Sequence, residues 1–190
     1  MSDEHLLETP LDGRVVYRGS YLSLRVDRVR DAAGATHTRE VVEHPGAVAI
    51  VAVDGGEVLF VRQFRHAAGQ VMLEIPAGTL DRLPDGSIEP PDTAAPRELA
   101  EETGVRAARW RKIGTFWTAP GFASEEMHLY LASDLHPLED YAGPEPDEHL
   151  ELVRLPWREA VARCVRGEIH DAKTIVGLLT LARLIDAGAL

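Results

Sequence analysis

The order of the predicted elements indicates an α/β or α+β fold that is built on a mixed sheet. Hairpin patterns come first, one helix follows them, and further strands precede two helices near the end of the chain. A doubly wound parallel fold would instead show a regular alternation of strands and helices. With 190 residues, 45% of them hydrophobic, the chain fits one domain or one domain with a small extension.

The first half of the chain is predicted to consist mainly of strands. Polar and apolar residues alternate over residues 14–45, as they do in half-exposed antiparallel strands. The continuous apolar run AVAIVAV, residues 47–53, is typical of a strand that is buried on both faces. The tripeptide DGG at residues 54–56 predicts a hairpin turn into the strand EVLFVRQFR. VMLEIPAG then predicts one strand that ends in a loop at residues 76–78.

A helix is predicted to end at Gly104, the expected C-cap, and to begin near Asp92 or Thr93. Pro96 favours Thr93 as the N-cap, because Pro96 then occupies the third helical position, where a missing N–H costs no helical hydrogen bond. Beyond this helix, strands are predicted around RKIGTFW, MHLYLA and HLELVRL. Two helices follow, of which the first closes at Gly167 and the second is capped by Asp171.

Charge and composition exclude several classes of protein. The net charge is −11 and the pI is about 5.1, so no basic surface for a nucleic-acid backbone is expected. Cys164 is the only cysteine, which excludes a disulfide framework and a CxxC zinc site. The N-terminal residues lack an apolar signal core, and no apolar run approaches the length of a membrane span. We therefore expect a cytoplasmic protein without nucleic-acid or membrane partners.

The segment PRELAEETG, residues 96–104, gathers three carboxylates at the end of the predicted helix. Glu98 faces both Glu101 and Glu102, and each such like-charge pair destabilises a helix by roughly 0.2–0.5 kcal/mol. The negative end of the helix dipole adds a cost on the order of 0.3–1 kcal/mol per carboxylate. The segment is therefore either a solvated charged face or a site for a hard cation. Mg²⁺ suits such a site, because it joins carboxylate oxygens to substrate phosphates.

The spacing around these acids resembles the Nudix box, G-x5-E-x7-R-E-U-x-E-E-x-G-U, in which U is aliphatic. The match is complete from Glu89 to Val105. Upstream the chain departs from the pattern, because Gly78 lies eleven positions before Glu89 instead of six. We interpret the difference as a five-residue insertion within Asp81–Ile88, which lengthens a loop and leaves the helix spacing unchanged. The resemblance implies a Nudix fold, in which a mixed β-sheet is sandwiched between helices.

Features outside the box are similar to those of the ADP-ribose pyrophosphatase subfamily. Pro120 lies sixteen residues beyond Gly104, as the corresponding proline does in that subfamily, and the segments VRQFR, LEIPAG and GEIHDAKT also match it. The resemblance covers roughly residues 14–185. It implies a Nudix hydrolase domain at residues 46–190. Residues 1–45 would form an N-terminal antiparallel β extension that serves homodimerisation and is often swapped between subunits.

The resemblance also implies roles for individual residues. The implied magnesium ligands are Glu98, Glu101, Glu102 and the backbone carbonyl of Ala77. The implied catalytic acids are Glu101, Glu102 and Glu148, where Glu148 lies on a loop and acts as the base or as a further metal contact. Glu151 is the alternative loop acid. Glu89 and Arg97 would stand behind the ligands and hold them in place.

The implied substrate contacts are Arg65, Arg62, Asp81, Pro120, Gly121 and Phe122. Arg65 matches a contact to the phosphate or ribose, and Asp81 matches an acid near the terminal ribose. Trp117 also flanks the substrate loop, but we expect it to pack in the core.

The implied reaction is the Mg²⁺-dependent hydrolysis of ADP-ribose to AMP and ribose 5-phosphate, with two or three ions and with Mn²⁺ as an alternative metal. Another nucleoside diphosphate derivative, such as a nucleotide sugar or a dinucleoside polyphosphate, remains an alternative substrate. A non-catalytic ADP-ribose-binding regulator is a third interpretation. It is disfavoured because every carboxylate of the box is present.

Overall fold

The computed structural model describes residues 3–141, 143 and 149–190, and its chain divides into two compact units. The first unit comprises Met1–Gly46 and Trp117–Glu126, and the second comprises Ala47–Phe116 and Met127–Leu190. Sheets and helices are present together, so the predicted mixed α/β class is confirmed. None of the helices among the described residues is long and apolar enough to cross a membrane.

The first unit contains a three-stranded antiparallel sheet in the order β1-β2-β3. Its strands are β1 (Thr9–Arg18), β2 (Ser23–Arg30) and β3 (Thr36–Glu43), and a short 3₁₀ turn, Glu4–Leu6, precedes them. Every residue of β1 is exposed, so this strand does not bury one face as the alternating pattern predicted. The segment 117–126 joins this unit through the end of β3, where the Val42 N–H donates to the Phe122 carbonyl at 2.8 Å.

The second unit contains a seven-stranded mixed sheet in the order β10-β5-β4-β9-β8, with β6 paired to β5 and β7 paired to β4. Its strands are β4 (Ala47–Asp54), β5 (Glu57–Arg65), β6 (Gln70–Glu74), β7 (Ala77–Thr79), β8 (Val105–Trp117), β9 (Glu126–Pro137) and β10 (Glu151–Pro156). Strand β4 runs parallel to β9 and antiparallel to β5 and β7. The sheet is therefore mixed, as the order of elements predicted.

Strand β4 lies at the centre of the core, which confirms the prediction from its continuous apolar run. Residues 47–52 are all buried, and their side chains alternate between two hydrophobic clusters on the two faces of the sheet. Helix α1 (Pro91–Thr103) packs on one face, and helices α2 (Trp157–Val165) and α3 (Ala172–Asp186) pack on the other. The sheet is thus sandwiched between helices. Burial on both faces explains why no polar residue interrupts the run.

The start of helix α1 differs from the prediction. The helix begins at Pro91 with Pro90 as the N-cap, so Thr93 is not the cap and Pro96 lies inside the helix. Pro91 suits the first helical position, because its fixed φ matches the helix and its missing N–H has no helical partner there. An interior proline costs about 3 kcal/mol, but Ala94 and Ala95 are fully buried against the sheet in this register. Packing therefore outweighs the local preference.

The other end signals are confirmed, and one predicted loop is replaced in part by a short strand. Gly104 caps α1 with a left-handed φ of 67°, and the Asp171 side chain accepts a hydrogen bond from the Thr174 N–H at the start of α3. The strand predicted in VMLEIPAG is confirmed as β6, which ends at residue 74. The loop predicted at residues 76–78 is wrong in part, because the break covers only residues 75 and 76 and β7 begins at Ala77. Pro76, which has no N–H for a ladder, lies in the break.

Candidate active site

Two carboxylates of helix α1 lie against the start of strand β7. Glu102 is 4% exposed, and its Oε2 accepts a hydrogen bond from the backbone N–H of Ala77 at 3.0 Å. The Glu98 carboxylate lies over Gly78 so closely that a Cβ on Gly78 would stand 2.1 Å from each carboxylate oxygen. Gly78 is therefore a cradle for the Glu98 carboxylate.

Arg97 binds the acids on the neighbouring face of the same helix. Its guanidinium donates to Glu89 through Nε at 3.2 Å and Nη2 at 2.7 Å, and to Glu101 through Nη1 at 2.8 Å. Arg97 Nη1 also lies 2.9 Å from Glu98 Oε1, and Nη2 lies 3.4 Å from Asp81. These hydrogen bonds raise the pKa of Arg97, Glu89 contributing most, and lower the pKa of the Glu89 carboxyl. One cation thus binds three acids of the box at the same time.

The predicted insertion forms a tight hairpin. Arg82 bridges to Ile88, and a turn inside the hairpin is closed by a 2.8 Å hydrogen bond from the Gly86 N–H to the Leu83 carbonyl. At its base the Glu89 N–H donates to the Asp81 carbonyl at 2.9 Å. The two ends of the insertion therefore lie side by side, which explains how Glu89 keeps its contact with Arg97 despite the extra residues.

The donors at this site suit a hard cation. Glu98 and Glu102 supply carboxylate oxygens close to the Ala77–Gly78 backbone. Within residues 3–141, 143 and 149–190, no three His, Cys, Asp or Glu side chains form a preassembled metal cluster. Mg²⁺ does not require one, because it usually keeps several waters and binds one or two carboxylates together with substrate phosphates. The residues present therefore fit a divalent cation.

The two candidate loop acids differ in what the structure describes. Glu148 lies outside the described residues. Glu151, the alternative, is the first residue of β10, where it is 66% exposed and accepts a 2.6 Å hydrogen bond from Arg62. Arg62 and Glu151 also pair in the register of β5 and β10. The predicted substrate contact Arg62 thus carries an acidic partner.

Arg65 is also held by an acid, and the sequence did not predict that acid. Glu74, at the end of β6, is 1% exposed and accepts two hydrogen bonds of 2.8 Å from Arg65. Lys173 contacts the same carboxylate. Burial alone would raise the pKa of Glu74, but the hydrogen bonds and charges of Arg65 and Lys173 outweigh it and lower the pKa. The sequence did offer one signal for Glu74, because it is a charged residue within the otherwise apolar strand segment VMLEI.

The remaining predicted substrate residues belong to the first unit. Pro120, Gly121 and Phe122 line a cavity of about 470 Å³ there, together with Arg39 and Trp117. Trp117 was expected to pack in the core, and this expectation is wrong, because 52% of the residue is exposed. Phe122 is 59% exposed. The loop therefore presents two aromatic rings to solvent at this cavity.

A mixed sheet between helices, with box carboxylates held against a glycine-containing strand, defines a Nudix-type architecture. The family model described as "NUDIX domain" matches residues 42–175, so the chain belongs to the NUDIX family. It is 40% identical over 179 residues to "ADP-ribose pyrophosphatase" of Mycobacterium tuberculosis (strain ATCC 25618 / H37Rv), covering 94% of this chain and 84% of that protein. It is 39% identical over 160 residues to "ADP-ribose pyrophosphatase" of Bacillus subtilis (strain 168), covering 84% of each.

Structural comparison agrees at the level of the fold. A solved structure described as "Crystal structure of ADP compounds hydrolase" matches with a TM-score of 0.79 at 23% identity. The match covers 96% of this chain and 97% of the other. The Nudix fold that the box spacing implied is therefore confirmed.

Proposed function

We propose that this chain is a divalent-metal-dependent Nudix hydrolase that cleaves the pyrophosphate bond of ADP-ribose and releases AMP and ribose 5-phosphate. The observation that carries the proposal is the placement of Glu98 and Glu102 against the Ala77–Gly78 backbone. The substrate comes from the similarity to the two ADP-ribose pyrophosphatases, which extends over most of this chain.

The proposed metal ligands are Glu98, Glu101, Glu102 and the carbonyl oxygen of Ala77. Magnesium is the proposed metal, with two or three ions and with Mn²⁺ as an alternative. Divalent ions held there would supply Lewis-acid stabilisation of the charge that develops on the pyrophosphate oxygens. The mutual repulsion of the three carboxylates is then compensated by cations, which accounts for their crowding at one end of α1.

The other proposed roles belong to side chains that position substrate or move a proton. Glu148 accepts the proton of the attacking water, with Glu151 as the alternative acid. Arg65 binds the phosphates or the ribose through a guanidinium that is already oriented by Glu74. Asp81 contacts the terminal ribose beside the inserted hairpin.

Further proposed contacts come from Arg62 and from the segment Pro120–Phe122. The exposed ring of Phe122 supports this role, because an aromatic face open to solvent can stack on a base. Arg97 keeps Glu89 and Glu98 in place without touching the substrate.

We also propose that the protein is a cytoplasmic homodimer, in which residues 1–45 form the dimerisation element and residues 46–190 the hydrolase domain. The support is the resemblance of the N-terminal hairpins to those of the subfamily, together with exposed apolar residues on β1 such as Val15 and Tyr17. Size-exclusion chromatography with light scattering tests the dimer. A monomer at micromolar concentration would contradict it.

A substrate panel tests the proposed reaction directly. Release of the nucleoside monophosphate is measured with ADP-ribose, a nucleotide sugar and a dinucleoside polyphosphate, each with Mg²⁺ and with EDTA. We expect the highest kcat/KM for ADP-ribose and no turnover in EDTA. A preference for another compound would keep the Nudix mechanism and change the substrate. Tight ADP-ribose binding without any turnover in Mg²⁺ would support the regulator interpretation instead.

A further inference from the structure

Three charged residues to which the proposed reaction gives no role come from two distant sequence segments and meet at one buried carboxylate. LEIPAG supplies Glu74, and GEIHDAKT supplies Lys173 and Asp171. Glu74 is 1% exposed, so its charge is removed from water and depends on these partners. Burying a carboxylate together with two cationic partners carries a large desolvation free energy, so the arrangement is a weak source of stability and a positioning role has to be considered.

On one side, Glu74 fixes the orientation of Arg65. The Nε and Nη2 atoms of Arg65 each donate to a different oxygen of Glu74 at 2.8 Å, which is a two-point contact between planar groups. The Arg65 side chain remains 42% exposed. The charge of Glu102 contributes to raising the pKa of Arg65, behind the larger effect of Glu74, so Arg65 lies within electrostatic reach of the candidate metal site.

On the other side, the start of α3 fixes Glu74. Lys173 is 11% exposed and contacts both Glu74 and Asp171, the latter at 2.9 Å. Asp171 caps α3 by accepting from the Thr174 N–H at 2.9 Å. Thr174 Oγ1 in turn accepts from the backbone N–H of Ile75 at 2.8 Å, next to Glu74 in the chain. Both the side chain and the backbone at Glu74 are thereby held by one helix terminus.

We propose that Glu74 is a positioning residue: braced by Lys173, it holds the Arg65 guanidinium so that the solvent-facing edge of Arg65 meets a phosphate group of the substrate. The proposal rests on the proposed hydrolysis of a nucleoside diphosphate compound. A lysine at position 65 would keep the charge but could not be held at two points, since an ammonium is a point charge on a flexible stem.

A double-mutant cycle tests this role against a purely structural one. Glu74→Gln, Arg65→Ala and the double variant are compared in kcat/KM for ADP-ribose and in Tm. We expect Glu74→Gln to lower kcat/KM by roughly 10–100-fold, as is usual for residues that orient a functional group. In the Arg65→Ala background the same change should lower kcat/KM no further, because Glu74 acts only through Arg65. Multiplying losses would overturn the proposal.

Two further variants keep the test decisive if Glu74→Gln does not fold. Arg65→Lys should lose at least about tenfold in kcat/KM while its Tm stays near the wild-type value. Lys173→Met keeps both partners of the Arg65–Glu74 contact but removes the ammonium group that holds Glu74. It should lower kcat/KM in the wild-type background and not in the Arg65→Ala background. A Tm loss in Lys173→Met with unchanged kcat/KM would show that the network is structural only.

A control variant and the wild type separate this proposal from the proposed function. Glu159→Gln removes an acid on α2 that accepts from Arg163 of the same helix and from Arg166 just after it, and should leave kcat/KM unchanged. If the wild type cleaves no nucleoside diphosphate compound, the proposed function and this role fail together. If the wild type cleaves ADP-ribose but the losses in kcat/KM of Glu74→Gln and Arg65→Ala multiply in the double variant, only the positioning role fails.

Discussion

The substitution Gly78→Ala perturbs the candidate metal site with a single methyl group. A Cβ at this position would lie 1.9 Å from Glu98 Cδ and 2.1 Å from both carboxylate oxygens. Ordinary van der Waals contact begins at 3.4 Å, so the carboxylate must move away by about 1.3–1.5 Å. Displacing a functional group by about 1 Å costs on the order of 100-fold in rate. We predict a loss of kcat of that order.

The same substitution should leave the fold intact, which makes the test selective. The crowded atoms are the far end of a flexible side chain, and Gly78 does not have the left-handed φ that would strain an alanine. Alanine in a strand is also favoured over glycine by roughly 0.5–1 kcal/mol. We therefore expect Tm to change little while the Mg²⁺ concentration needed for half-maximal rate rises.

The assay is AMP release from ADP-ribose across a Mg²⁺ titration, with Tm measured on the same samples. Gly114→Ala is the matched control, because it is also a glycine in a strand and its added Cβ would meet nothing closer than 4.0 Å. Wild-type kcat and Mg²⁺ dependence in Gly78→Ala would refute the reasoning, since Glu98 would then have no metal-binding role.

Three other predictions follow from the structure. Glu102→Gln should lower kcat by at least about 100-fold while circular dichroism shows a folded protein, because an amide replaces a proposed anionic ligand. Leu99→Ala, at a fully buried position of α1, should lower the free energy of urea unfolding by about 2–5 kcal/mol, and a loss below about 1 kcal/mol would contradict the described packing. Arg97 lowers the pKa of Glu89 in the folded protein below the ordinary 4.5. The Arg97–Glu89 pair therefore contributes its full stabilisation of the fold above pH 4.5, and this contribution is lost as the pH falls through the pKa of Glu89 in the folded protein. The Tm difference between wild type and Glu89→Gln should therefore shrink from about pH 6 to about pH 3, and a constant difference would contradict the pairing.

Local signals predicted those elements that neighbouring residues determine. The apolar run of β4, the Gly55-Gly56 hairpin and the Gly104 cap all depend on a few adjacent side chains, and the structure confirms each. The box spacing placed Glu98 and Glu102 on one helix face, because residues four apart on a helix are neighbours.

Features that depend on distant residues were not predicted. Glu74 and Lys173 are 99 positions apart, so their contact and its effect on Arg65 could not be derived from local patterns. The start of α1 was misplaced because the burial of Ala94 and Ala95 outweighs the cost of Pro96. Trp117 was expected to pack in the core, whereas the structure leaves it exposed beside a cavity.

The most direct measurement of the central claim is a crystal structure of the protein with Mg²⁺ and a non-hydrolysable ADP-ribose analogue, with Mn²⁺ replacing Mg²⁺ for anomalous scattering. We predict metal density beside Glu98 and Glu102, with Mg²⁺–oxygen distances of about 2.0–2.1 Å and the pyrophosphate of the analogue as a further ligand. A fully occupied analogue with no metal at these two carboxylates would contradict the proposed mechanism.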